Sequence, residues 1–149
     1  MVTAGIDVGV IAVTDTGATL NVSTPGQTDL VSDDLINLGT LAVDTGYGEG
    51  GTTLTIGGTL GNANLIQIGG FGGVTAATTV SADALNNAGS IELFGGNTEQ
   101  ATLNIASAAP TMFSRNVQLN NDACCNLPPV RSRQLPLPAG FCSTAPTRG

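Results

Sequence analysis

A short motif that recurs at constant spacing constrains the fold of this 149-residue chain more than any other feature. Three copies begin with asparagine, at Asn37 (NLGTLAV), Asn62 (NANLIQI) and Asn87 (NAGSIEL). Their interval of about 25 residues lies in the range that is typical of solenoid repeats. A fourth, shorter copy at residues 117–119 follows at nearly the same interval. Apolar and polar residues alternate in each copy, which is the periodicity of a β-strand with one buried face and not that of a helix.

A single unit of this repeat is too small to fold alone. Its few inward aliphatic side chains contribute roughly 10 kcal/mol of burial, whereas ordering its backbone costs on the order of 25 kcal/mol. Stacked units resolve this deficit, because each coil pairs with the coils above and below it. The sequence therefore predicts an all-β fold, a parallel β-solenoid with coils of about 25 residues. Six aliphatic side chains are expected to form two inward ladders: Leu41, Val43, Ile66, Ile68, Ile91 and Leu93.

Glycine clusters separate the alternating segments and predict the corners of the coils. They lie at residues 48–51, 69–73 and 95–96, where glycine supplies the positive φ that a sharp turn requires. An aromatic residue stands in or beside each cluster, and Tyr47, Phe71 and Phe94 recur at nearly equal intervals. This spacing predicts an aromatic ladder at one corner, which we interpret as core packing in preference to ligand binding.

The composition changes along the chain and divides it into three segments. Residues 1–36 show only blurred repeats and are interpreted as irregular first coils or an N-terminal cap, and residues 37–123 hold the solenoid repeats. Residues 124–149 contain all three cysteines and five of the seven prolines, and we predict a poorly ordered tail there. Because a Pro-rich tail cannot pair with a full strand edge, the sequence also predicts self-association through the solenoid ends.

The residue types that the chain lacks exclude several functions. Without histidine or lysine there is no Ser/His/Asp or Cys/His catalysis, no imidazole metal site and no Walker A loop. A net charge of −7 with only four arginines disfavours nucleic-acid binding. No segment approaches the roughly 18 apolar residues that span a bilayer. We expect a non-catalytic protein with no catalytic, cofactor-binding or metal-binding residues.

Two catalytic interpretations of the carboxylates compete with this expectation. Asp-Thr-Gly triplets at Asp15 and Asp44 resemble those of aspartic proteases, but the chain is too short for two lobes and the triplet is ordinary turn chemistry. Glu92 and Glu99 are candidates for the paired carboxylates of a glycoside hydrolase. They flank a glycine turn, however, and are better explained as solvent-facing residues.

The segment NAGSIELFGGNTEQATLNI, which begins at Asn87, resembles the repeats of bacterial autotransporter passengers and filamentous-haemagglutinin-type adhesins. In those repeats a short N-x-G-x-I-x-L strand, a glycine-rich turn and an A-T-L-x-I strand follow one another. The resemblance covers about residues 37–123. It implies a right-handed β-helix, at the cell surface or secreted, that acts as an adhesive rod toward a host or neighbouring-cell component, protein or glycan. The alternative is a carbohydrate-active β-helix, either a glycan hydrolase or a glycan-binding protein.

Overall fold

The structure is a computed structural model that describes residues 7–8, 12–108, 116–128 and 141–143, with side chains at residues 15–107 and 116–128. These described residues form β-strands joined by turns and loops, without any helix. In chain order the strands are β1 (Asp7–Val8), β2 (Ala12–Thr14), β3 (Thr19–Val22), β4 (Thr28–Val31), β5 (Leu35–Asn37), β6 (Thr40–Val43), β7 (Thr53–Asn62), β8 (Leu65–Ile68), β9 (Thr78–Asn87), β10 (Ser90–Phe94), β11 (Ala101–Ala108), β12 (Val117–Asn120), β13 (Ala123–Asn126) and β14 (Phe141–Ser143).

The strands form two sheets that wind together as stacked coils. Sheet B contains β3, β6, β8, β10 and β12 in that spatial order, and sheet A contains the other nine strands. Paired residues in neighbouring coils are about 25 positions apart, as in Leu41 with Ile66 and Ile66 with Ile91. The chain is therefore a parallel β-solenoid of about 4 turns, and the predicted fold class is confirmed.

A complete coil contributes two faces to sheet A and one to sheet B. The first half of β7 pairs with β4, and its second half pairs with β5. The division falls at the register shift between Ile56 and Thr59. At Gly57, within this shift, a Cβ atom would lie 2.5 Å from the Ser32 carbonyl oxygen, so the backbones approach too closely for a side chain. We call the β4 half of sheet A the first face, the β5 half the second face, and sheet B the third face.

The aliphatic side chains of the repeat line the interior of the coils. All six that the sequence predicts to point inward are completely buried, which confirms that prediction. Rows of leucine, isoleucine and valine from the first and second faces complete the core. The register arranges the six residues of the third face as the two expected ladders, Leu41–Ile66–Ile91 and Val43–Ile68–Leu93.

A buried asparagine ladder closes the junction between the second and third faces. The side-chain amide of Asn37 donates to Oδ1 of Asn62 at 2.9 Å, and that of Asn62 donates to Oδ1 of Asn87 at 2.7 Å. The same two amides also donate to the carbonyl oxygens of Leu65 and Ser90 in the following coil. The side-chain amides of Asn37 and Asn62 therefore bind the next asparagine of the ladder and hold neighbouring coils in register, whereas Oδ1 of Asn37 has no partner among the described residues.

The C-terminal edge of sheet A is paired with a strand of opposite direction. β13 extends the parallel sheet beyond β11, and β14 pairs with β13 in antiparallel orientation. Cys124 is disulfide-bonded, and Cys142 lies opposite it in the register of these two strands. The described solenoid thus includes residues 124–126, past the boundary at residue 123 that the repeat indicates. Residues 129–140 and 144–149, for which the sequence predicts poor order, lie outside the described residues.

The buried thiol of Cys125 gives the fold a specific sensitivity to alkaline pH. Cys125 is free, and burial raises the pKa of its thiol from 9.0 to about 12. The folded chain therefore keeps a proton that the unfolded chain loses above pH 9. This contribution to stability is complete below pH 9 and is lost as the pH rises toward 12. Between these two pH values, we expect the loss of this contribution to lower the free energy of unfolding by about 1.4 kcal/mol per pH unit.

Urea unfolding at a series of pH values measures this effect. The Cys125→Val variant, which keeps a small apolar side chain at the site, serves as the comparison. Its free energy of unfolding should lack the additional decline above pH 9 that the parent chain shows. Identical pH profiles for the two proteins would show that the thiol ionises as readily in the folded state as in the unfolded state.

Candidate functional site

At one junction between the faces, the connecting loops are long enough to expose side chains to solvent. At the asparagine junction the strands are nearly continuous, with only residues 38–39 between β5 and β6. Between the third and first faces, longer loops at residues 44–52, 69–77 and 95–100 connect the strands. We call these three stacked loops the glycine corner, because the glycine clusters of the sequence lie in them.

The three aromatic residues whose side chains are described lie in the glycine corner or directly beside it: Tyr47 and Phe71 in its loops, and Phe94 at the end of β10. The rings of Phe71 and Phe94 contact each other, with centroids 4.8 Å apart and planes inclined by 59°. Phe94 is buried, but Tyr47 is fully exposed and Phe71 is 85% exposed. The expected ladder therefore exists between Phe71 and Phe94. The interpretation as core packing is wrong for Tyr47 and Phe71, because their loops hold the two rings in solvent.

A buried carboxylate organises the base of the corner. Asp44 follows β6 in the left-handed region, with a φ of 51°, and its side chain is completely buried. Its carboxylate accepts hydrogen bonds from the backbone N–H of Thr52 at 3.0 Å and from the Thr52 hydroxyl at 2.7 Å. It also accepts one from the hydroxyl of Thr78 at 2.6 Å. Since Thr78 belongs to the next coil, this network ties two successive loops together.

Further contacts fix the loops that hold the exposed rings. The Glu49 carboxylate accepts the backbone N–H of Gly46 at 2.7 Å, which closes the loop around Tyr47. The hydroxyl of Thr75 in the next loop donates to backbone carbonyl oxygens of this loop at 3.1 and 3.2 Å. One edge of the exposed Tyr47 ring lies beside the following loop, where a Cβ atom on Gly72 would be 3.8 Å from its Cδ2. The two exposed rings therefore stand on loops that are held by specific hydrogen bonds.

The surface around the exposed rings is acidic. Ten of the eleven acidic residues, all except Asp7, have described side chains, whereas all four arginines lie outside the described residues. Glu49 and Glu99 stand within the glycine corner, and both are half-buried. Neither carboxylate has a basic partner among the described side chains. Among the described side chains, the corner therefore combines its exposed aromatic rings with acidic groups only.

The structure gives separate local roles to the carboxylates that the sequence raised as catalytic candidates. Asp15 is an exposed turn residue whose carbonyl oxygen accepts the N–H of Ala18 at 3.0 Å, and Asp44 is the buried base of the corner. Glu92 is on the outward side of β10, whereas Glu99 is in a loop. Within the described part of the chain, no hydrogen bond joins Asp15 to Asp44 or Glu92 to Glu99.

The described residues contain neither a candidate metal site nor a candidate membrane-spanning helix. Among them, no group of three or more histidine, cysteine, aspartate or glutamate side chains could hold a metal ion. The same part of the chain contains no helix with the length and apolar character needed to cross a membrane.

The chain matches no protein-family model, no curated protein and no solved structure. A functional assignment therefore depends on the chemistry of the glycine corner.

The exposure of Tyr47 and Phe71 is the feature of the candidate site that the sequence does not predict. A signal for it was present in the immediate neighbours, because each of these rings is flanked on both sides by glycine. Glycine has no side chain that could cover an adjacent ring. Phe94 instead is the last residue of β10, where it is buried and contacts the Phe71 ring.

Proposed function

We propose that this chain is a structural, non-catalytic β-solenoid segment of a bacterial surface or secreted adhesin. In this function the stacked coils form a stiff rod, and the glycine corner displays the side chains that bind a component of a host or neighbouring cell. The resemblance of the repeat at Asn87 to adhesin repeats supports this proposal. The parallel coil architecture also supports it, because stacked coils present successive loops at regular intervals.

The observation that carries the proposal is the exposure of Tyr47 and Phe71 on adjacent loops of one corner. Two large rings in water contribute little to the stability of the rod beneath them, whose own core is completely buried. Aromatic side chains on ordered loops are typical of binding hot spots, where a partner removes them from water. The loops are also fixed in advance by the Asp44 and Glu49 hydrogen bonds, which lowers the entropic cost of binding.

A cell-binding experiment tests the proposal. The full chain, labelled with a fluorophore, is incubated with panels of bacterial and animal cells, and the bound label is measured by flow cytometry. We expect saturable binding to at least one cell type. The double variant Tyr47→Ala/Phe71→Ala should lower that affinity at least about tenfold. Its thermal unfolding should be nearly unchanged, because both side chains are exposed.

A matched control removes an exposed apolar side chain elsewhere. Leu38, beside the asparagine junction, is 38% exposed, and the Leu38→Ala variant should bind as the parent chain does. An equal loss of binding in both variants would contradict a role for the glycine corner. Failure of the parent chain to bind any of the cells would contradict the adhesin function itself.

A further inference from the structure

The glycine corner combines exposed aromatic faces with carboxylates that have no basic partner among the described side chains. Tyr47 and Glu49 share one loop, and Phe71 lies on the next loop along the solenoid. Glu99 lies on the third loop, which begins directly after Phe94, and the Phe94 ring contacts Phe71. Exposed aromatic rings and carboxylates therefore occur together on the three stacked loops of this corner.

We propose that the glycine corner recognises a cationic partner, namely an arginine-bearing segment of another protein. This inference rests on the proposed function, because it specifies the chemistry of the partner that binds at the same corner. Arginine suits the site better than lysine. Its planar guanidinium stacks on an aromatic face and can also form hydrogen bonds with a carboxylate in its own plane.

The charge of the rod favours a cation over an anionic partner. The whole chain carries a net charge of −7, and the described part contains acidic side chains without a basic one. The described acidic side chains would repel an anionic ligand, whereas they would attract a basic segment during its approach. The negative face of each ring adds a short-range attraction for the cation once it arrives.

The two half-buried carboxylates of the corner, Glu49 and Glu99, keep acceptor capacity for a guanidinium. Oε2 of Glu49 accepts the Gly46 N–H, which leaves its Oε1 available for a further hydrogen bond. Oε1 of Glu99 accepts the hydroxyl of Thr98 at 3.2 Å, which leaves its Oε2 available. The internal bonds thus orient both carboxylates without using up their capacity. A guanidinium over Tyr47 would therefore find an oriented carboxylate two residues along the same loop.

The arrangement of the rings argues against a glycan as the occupant. A flat polysaccharide face that covers several aromatic residues at once needs rings that lie close to one plane. The Phe71 and Phe94 planes are instead inclined by 59°, and Phe94 is buried. The inclined pair of Phe71 and Phe94 therefore offers no flat platform that a polysaccharide face could cover.

Titration with a defined peptide tests this assignment on the full chain. A fluorescein-labelled peptide of alternating arginine and glycine is the probe, and fluorescence anisotropy reports its binding. A second peptide carries citrulline in place of arginine, which keeps the shape and removes the charge. We expect the arginine peptide to bind and the citrulline peptide not to bind, with an affinity that falls as the salt concentration rises.

Matched variants separate the corner from the overall charge. Tyr47→Ala/Phe71→Ala and Glu49→Gln should each weaken binding of the arginine peptide by at least about fivefold. Glutamine at residue 49 can still accept the Gly46 N–H, so the loop should keep its shape. Asp33→Asn removes the same charge from an exposed residue between β4 and β5. It should change the affinity less than about twofold, because exposed distant charges are screened by salt.

The outcomes distinguish this inference from the proposed function. Equal losses with Asp33→Asn and Glu49→Gln would show attraction to net charge alone and would overturn the assignment. Failure of the arginine peptide to bind would also overturn it. If a neutral oligosaccharide bound through Tyr47 and Phe71 instead, the cationic partner would be rejected and the adhesin function would stand. If the arginine peptide bound but no cell type did, the cationic partner would stand and the adhesin function would be rejected.

Discussion

Replacing Ile66 by aspartate is expected to prevent the chain from folding cooperatively. Ile66 is completely buried in β8, the central strand of sheet B, between Leu41 and Ile91 of the neighbouring coils. An aspartate there would place a carboxylate among aliphatic side chains, and no described basic side chain could neutralise it. We expect a loss of more than about 4 kcal/mol in the free energy of unfolding. This loss is comparable with the whole stability of many domains, which is about 5–15 kcal/mol.

Far-ultraviolet circular dichroism and urea unfolding measure this loss, with Gln67→Asp as the control. Gln67 is the next residue of the same strand, but it points outward and is only partly buried. An aspartate at residue 67 would stand opposite Glu92 on the neighbouring strand, and this repulsion should cost less than about 1 kcal/mol. Similar losses for the two variants would contradict the inward and outward alternation of β8.

The Asn62→Asp variant is expected to be the second most damaging of the changes considered. Asn62 is the middle member of the asparagine ladder, and its amide donates to Oδ1 of Asn87 and to the carbonyl oxygen of Ser90. Aspartate has almost the same shape but cannot donate either bond when it is ionised. It would remove the donor to Oδ1 of Asn87 and one donor to the Ser90 carbonyl oxygen, and it would place a buried charge beside Oδ1 of Asn87. We expect a loss of about 2–4 kcal/mol in the free energy of unfolding.

The same substitution at a neighbouring asparagine tests whether the ladder is responsible. Asn86 precedes Asn87 in β9 and is exposed, so Asn86→Asp should change the free energy of unfolding by less than about 0.5 kcal/mol. Urea unfolding of both variants at neutral and acidic pH gives the comparison. Acid should partly restore Asn62→Asp relative to the parent chain, because a protonated carboxyl can again donate one hydrogen bond. An Asn62→Asp variant as stable as Asn86→Asp would contradict a structural role for the ladder.

The solenoid architecture and its best-defined ladders follow from the amino-acid sequence without further information. Alternation of apolar and polar residues fixes which side of a strand is buried. This pattern recurs at a constant interval, at Asn37, Asn62 and Asn87. Stacking the equivalent positions of successive repeats is the arrangement that buries the apolar side of every copy. Ile66 and Ile91 can therefore be placed against each other from their positions in the repeat. The asparagines can be located at a junction on the same grounds, but not their bonds to one another.

Contacts between distant parts of the chain determine which residues of the corners and edges are buried, exposed or paired. Asp44 and Tyr47 are close neighbours in the same loop, yet one is completely buried and the other completely exposed. The difference arises because Thr52 and Thr78, from two successive coils, converge on the Asp44 carboxylate. A loop has no periodic pattern that records such contacts. The pairing of β14 with β13 is of the same kind. It requires that residues 141–143 come back to the edge of β13, and the alternation of residues within β13 does not specify which segment pairs there.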